Sequence, residues 1–109
     1  MHAPAALDRT FHALSDRTRR AMIHALASGE ARSAGELGRR FRSAQPTISR
    51  HLKVLEEARL IEREVDGRVH RFRLLRPPLA EAERWVQGQQ AFWTGAVARL
   101  EQLLVELEP

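Results

Sequence analysis

Between Ser43 and Ala58 the chain reads SAQPTISRHLKVLEEA, and two sets of residues interleave within it. Ile48, Leu52, Leu55 and Ala58 recur at intervals of three and four, a spacing that gathers them on one face of a helix. Gln45, Thr47, Ser49, Arg50 and Lys53 are left on the other side. That second set suits a polyanion bearing planar hydrogen-bonding edges. The amide of Gln45 and the guanidinium of Arg50 can each pair with a base edge through two hydrogen bonds, while Thr47, Ser49 and Lys53 suit phosphate oxygens. Ser43 and His51 from the same segment, and Arg42 just before it, complete the candidate contact set on this side. A polar face is also what any surface helix carries, so its neighbours in the chain must decide between the two meanings.

A second basic group follows. In LIEREVDGRVHRFRL the apolar residues alternate, and Asp66-Gly67 is a preferred central pair for a two-residue turn, so residues 60–74 are expected to form a β-hairpin. Arg63, Arg68, His70, Arg71 and Arg73 cluster about that turn, with Glu62, Glu64 and Asp66 diluting their charge. A hairpin tip of this kind can lie along a phosphate backbone or enter a minor groove. Arg68, beside the turn, and His70 are assigned to nucleic acid. Arg71 and Arg73 are assigned to ion pairs or to covering the core.

The elements that position these groups are mostly helical. Ala6, Leu7, Phe11 and Leu14 mark a first helix, and Asp16 is placed to cap a second that stops near Gly29, with His24 on or beside its apolar face. Ser33-Ala34-Gly35-Glu36 is a capping-box pattern that opens a third helix running to about Arg40. Phe41-Arg42-Ser43 then reads as a tight turn, with Ser43 expected to cap the helix over 44–58 and Pro46 in its first turn, where a missing amide hydrogen costs nothing. Beyond Arg76-Pro77-Pro78 a three-four alternation runs from Leu79 to Leu107, which predicts a long amphipathic helix over 78–107, with Gly88 and Gly95 as candidate bends. Two helices joined by a short turn and followed by a basic hairpin are the parts of a winged helix-turn-helix, in which the second helix enters the major groove. The expected fold class is therefore mainly α with a small β-hairpin.

Composition narrows the alternatives. The 109 residues amount to one domain, 43% hydrophobic and 29% charged, and no apolar run nears the roughly 20 residues that cross a bilayer. The opening MHAPAALDRT lacks the layout of a secretory signal, so the expected location is cytoplasmic. The absence of cysteine removes disulfides, thiolate metal sites and thiol nucleophiles. Residues 1–78 carry 16 Arg and Lys against 9 Asp and Glu, a charge of +7, whereas residues 79–109 carry 2 against 5, a charge of −3. The positive part suits DNA. There is no glycine-rich phosphate loop and no Ser-His-Asp constellation, so an enzyme is not expected. His2, His12, His24, His51 and His70 are scattered and form no ligand pattern.

With these features in place, the chain resembles the ArsR (arsenic-repressor-like) family of winged-helix repressors over roughly residues 6–76. The resemblance is carried by HALSDRTRRAMIHAL, AGELGRRFRSAQPTISRHLKVLEEARLIEREVDGR and RFRL. It implies a homodimeric repressor that binds a palindromic operator in double-stranded DNA and releases it on a signal. Many members hold metal through a Cys-x-Cys pair at the start of the third helix or through ligands along the last helix. Here Ser33-Ala34-Gly35 occupies the first place and the last helix contains no His or Asp, so no metal or other cofactor is expected. The Trp-rich terminal helix resembles that of members lacking such ligands. It is therefore assigned to dimerisation together with the first helix, through Leu7, Phe11, Trp85, Phe92, Trp93, Leu100 and Leu103. Two other readings stay open: a protein-interaction module anchored by Trp85, Phe92 and Trp93, and a metal-responsive repressor whose ligands join two subunits. The inducer is not identified.

Overall fold

The computed structural model describes residues 4–108 and contains, in order, α1 (Pro4–Leu14), α2 (Arg17–Ala25), β1 (Arg32–Ser33), α3 (Ala34–Phe41), α4 (Gln45–Glu57), β2 (Ile61–Asp66), β3 (Val69–Leu74) and α5 (Pro77–Glu106). His2 lies outside the described residues.

The α1–α2 corner is built from charged side chains used on backbone groups. Asp16 is extended and its carboxylate accepts from the Arg19 amide at 3.0 Å, satisfying a donor that the start of α2 leaves unpaired. In return, Arg19 Nε donates to the Ala13 carbonyl at 2.7 Å and Arg20 Nη1 to the Leu14 carbonyl at 2.7 Å, which satisfies acceptors at the end of α1. Gly29, at φ 91°, turns the chain after α2.

At α3 the capping box forms as expected: Ser33 Oγ accepts from the Glu36 amide at 3.1 Å and Glu36 Oε1 accepts from the Ser33 amide at 3.2 Å. The turn into α4 departs from expectation in one detail. Arg42 takes the left-handed conformation at φ 51°, and the Ser43 amide donates to the Gly38 carbonyl. The Ser43 hydroxyl bends back to the Phe41 carbonyl at 3.2 Å and caps nothing. Ala44 is the N-cap, without a side-chain bond, and Pro46 sits in the first turn. The closed turn thus uses Ser43 for its own backbone and delays the helix by one residue.

The hairpin is part of a three-stranded antiparallel sheet of order β1-β3-β2. Strand β1, unforeseen in the sequence because it has two residues, pairs Arg32 with Phe72 and Ser33 with Arg71. The hairpin turn is shifted from Asp66-Gly67 to Gly67-Arg68, because Asp66 still faces Val69 in the ladder. Gly67 has φ 61° and Arg68 does not have a positive φ, the pattern of a type II′ turn with glycine first.

Met22, Leu26, Leu37, Ile48, Leu52, Leu55, Leu60 and Phe72 bury their side chains where the helices meet the sheet. At about 1.5–3 kcal/mol for each large side chain removed from water, this cluster is what holds α4 in place. Helix α5 relates to it differently. Its 30 residues span about 45 Å, uninterrupted at Gly88 and Gly95. Leu79 and Ala82 pack inward, and Trp85 meets Phe11 of α1 edge-to-face with ring centroids 5.6 Å apart. Beyond that contact the helix projects away, giving a molecule 75 × 32 × 22 Å in extent.

Candidate nucleic-acid interface

The burial of Ile48, Leu52 and Leu55 fixes the rotation of α4 about its own axis. The opposite edge consequently presents Gln45, Ser49, Arg50 and Lys53 to solvent, with Thr47 half-buried beside them. Arg50 and Lys53 share a shallow groove with Thr47 and with Arg19 of α2. Ser49 lines a cleft of about 440 Å³ together with Arg68 and His70 of the hairpin and with Ser33 to Gly35. One side of the molecule therefore carries both basic elements.

Gln45 is set by its neighbour. A Cβ on Gly38 would fall 2.5 Å from Gln45 Nε2, so the glycine in α3 leaves room for the amide to fold over it. Arg42, in the turn, is exposed and Ser43 is half-buried.

His51 lines the same groove as Arg50 and Lys53. It is half-buried, with Nδ1 3.4 Å from Arg19 Nη1 and 3.9 Å from Asp16 Oδ2, which ties α4 to the start of α2. The Asp16 carboxyl is held below the ordinary carboxylate range, chiefly by the Arg19 amide that donates to it, with the charges of His51 and Arg19 assisting. Glu36 is held low in the same sense by its bonds to Ser33.

In the hairpin, Arg68 is exposed at the turn. His70 is exposed too, but its Nδ1 lies 2.9 Å from Arg63 Nη1. Arg73 pairs with Glu64 across the ladder, as the sequence suggested. Arg71 is half-buried, with Nε out of water and unpaired. Arg63 is the residue that sequence reasoning passed over. It bonds Glu56 of α4 through Nη2 at 2.7 Å and Nε at 3.3 Å, and its guanidinium lies 5.0 Å above the Phe72 ring. The sequence carried no signal for this, since the expected Asp66-Gly67 turn would set Arg63 opposite His70, and its pairing with Phe72 arises only from the shifted ladder.

The residues assigned to subunit contact divide into two groups. Leu7 is half-buried, and Phe11 and Trp85 partly cover each other. Phe92 and Trp93 stack edge-to-face at 5.6 Å and, with Leu100 and Leu103, stand exposed along α5. Among the described residues no three His, Asp or Glu side chains gather as metal ligands, and no helix is long and apolar enough to cross a membrane.

Comparison with known proteins agrees with this architecture. Residues 14–64 match a family described as a helix-turn-helix domain. The HTH-type transcriptional regulator Rv2034 of Mycobacterium tuberculosis is 37% identical over 97 residues, 89% of this chain and 87% of the relative. The transcriptional repressor SdpR of Bacillus subtilis is 30% identical over 80 residues, 73% of this chain and 88% of the relative. The structure of an ArsR-like transcriptional regulator from Rhodococcus sp. RHA1 superposes with a TM-score of 0.85 at 31% identity, covering 95% of this chain and 94% of the other. With a helix-turn-helix, a basic wing and relatives of near-equal length, the chain belongs to the ArsR family of winged helix-turn-helix transcriptional regulators and is a DNA-binding protein.

Proposed function

We propose that the chain acts as a homodimeric repressor that occupies a palindromic operator. Helix α4 lies in the major groove, where Gln45 and Arg50 read base edges while Thr47, Ser49 and Lys53 hold phosphates. Arg68 at the wing tip reaches the neighbouring backbone. Residues 6–76 form the reading unit, and the helix over 78–107, with α1, pairs the subunits. A two-fold axis through that pairing repeats the recognition helix about 34–36 Å away, one turn of DNA, and this is why the site would be palindromic.

The single observation that carries the reading is the exposed row of Gln45, Ser49, Arg50 and Lys53 on a helix whose other face is locked into the core. Selection from random duplexes, followed by fluorescence anisotropy at moderate salt, tests it. An inverted repeat should be enriched, and Gln45→Ala or Arg50→Ala should each lose about 1–3 kcal/mol on the selected site and little on random DNA. Equal loss on both reassigns that residue to a phosphate. A selection that enriches no sequence overturns the operator reading.

A further inference from the structure

Helix α4 and the wing form one reading surface only if the angle between them is fixed, and the core supplies little to fix it at the tip. Ile61 and Phe72 anchor the base of the hairpin, whereas Val65 to His70 are all exposed. Strand β2 is an edge of the sheet, and among the described residues no further strand braces it. Between anchor and tip stands Arg63, about 10 Å along the strand from the turn.

Every donor of its guanidinium fork that faces the protein is used to join three elements. Nε and Nη2 bond the two oxygens of Glu56 in the last turn of α4, Nη1 meets His70 on β3, and the planar group covers Phe72. Paired charge-assisted bonds to a carboxylate fix direction as well as distance, and only arginine supplies that geometry. Because an arginine can only donate, His70 Nδ1 is the accepting side of that contact. His70 is thereby engaged from the protein side.

We infer that Arg63 is a positioning residue for DNA recognition: with Glu56 and His70 it braces the wing against the recognition helix, so that Arg68 and the row on α4 meet one duplex together. The inference rests on the proposed wing contact. Once α4 is docked, the braced tip meets the backbone at a high effective concentration, and a loose tip does not.

Glu56→Ala separates this role from simple electrostatics. The substitution removes a negative charge beside the DNA-binding surface, so charge alone would tighten binding, and alanine suits the last turn of a helix. The brace requires the opposite: about threefold to tenfold weaker operator binding and a salt slope lower by about one. In an Arg68→Ala background the same change should cost less than about twofold, since the tip contact is already gone. Glu56→Gln, which keeps the side chain's size, should behave as Glu56→Ala. Amide exchange of residues 62–70, measured without DNA, should quicken in both variants while the core amides hold. Unchanged or tighter binding by Glu56→Ala overturns the inference, as does an equal loss with and without Arg68. If the wild-type chain prefers no sequence, the operator reading has failed on its own account. The exchange measurement then decides the brace, which unchanged wing amides overturn and faster ones retain.

Discussion

Helices α4 and α5 carry the same pattern and meet opposite fates. Both repeat apolar residues at intervals of three and four, yet Ile48 and Leu55 of α4 are fully buried while Leu100, Leu103 and Leu104 of α5 are each more than half exposed. The amphipathic period states that a face seeks cover, but not from what. For α4 the cover is the chain's own core, and what remains outward is a polar edge suited to DNA. For α5 the described residues supply cover only as far as Phe11 and Trp85, and the exposed remainder is suited to a second copy.

The comparison breaks most visibly if the two stripes are exchanged in effect. Leu100→Asp combined with Leu103→Asp should weaken self-association by about 3–6 kcal/mol, from the apolar burial lost, while far-UV circular dichroism at low concentration stays that of a folded chain. Sedimentation velocity checks it: a wild-type chain that is monomeric at micromolar concentration contradicts the assignment of α5. Leu55→Ala, by contrast, should cost about 2–5 kcal/mol of folding stability in urea titrations, because a buried cavity replaces packed contacts. A loss under about 1 kcal/mol would mean that the α4 stripe is not the anchor described here.

The smallest effect sharpens how α4 is held. Asp16→Ala removes the cap of α2 and the carboxylate facing His51, and should cost about 1 kcal/mol near neutral pH. The folded carboxyl lies below its ordinary value, so its contribution is full above the unfolded pKa and is lost as pH falls through the folded one. Thermal unfolding of wild type and variant should therefore differ near pH 7 and converge in acid, and a gap that persists below both values would assign the loss to packing.

Much of this was legible in the chain. Asp16, the Ser33-Glu36 box and the stripe of Ile48, Leu52, Leu55 and Ala58 all rest on interactions between residues within a few positions of each other, where spacing is geometry. The hairpin was readable as a hairpin, but its turn moved by one residue, since Asp66-Gly67 and Gly67-Arg68 are both acceptable and the ladder chooses between them. Ser43 was misassigned for a related reason: a hydroxyl before a helix can turn either way, and the left-handed Arg42 turned it back.

The sequence by itself determined the local devices, the order of elements and the face of α4 that must be buried. Each of these follows from periodicity or capping within a single segment. Only the tertiary structure decided what lies across segments: Arg63 reaching from β2 to Glu56, His51 facing Asp16 and Arg19, β1 joining the sheet, and α5 continuing, exposed, past its contact with Phe11. Those partners stand 7 to 40 positions apart, and side-chain reach across such separations is set by packing, which no single segment contains.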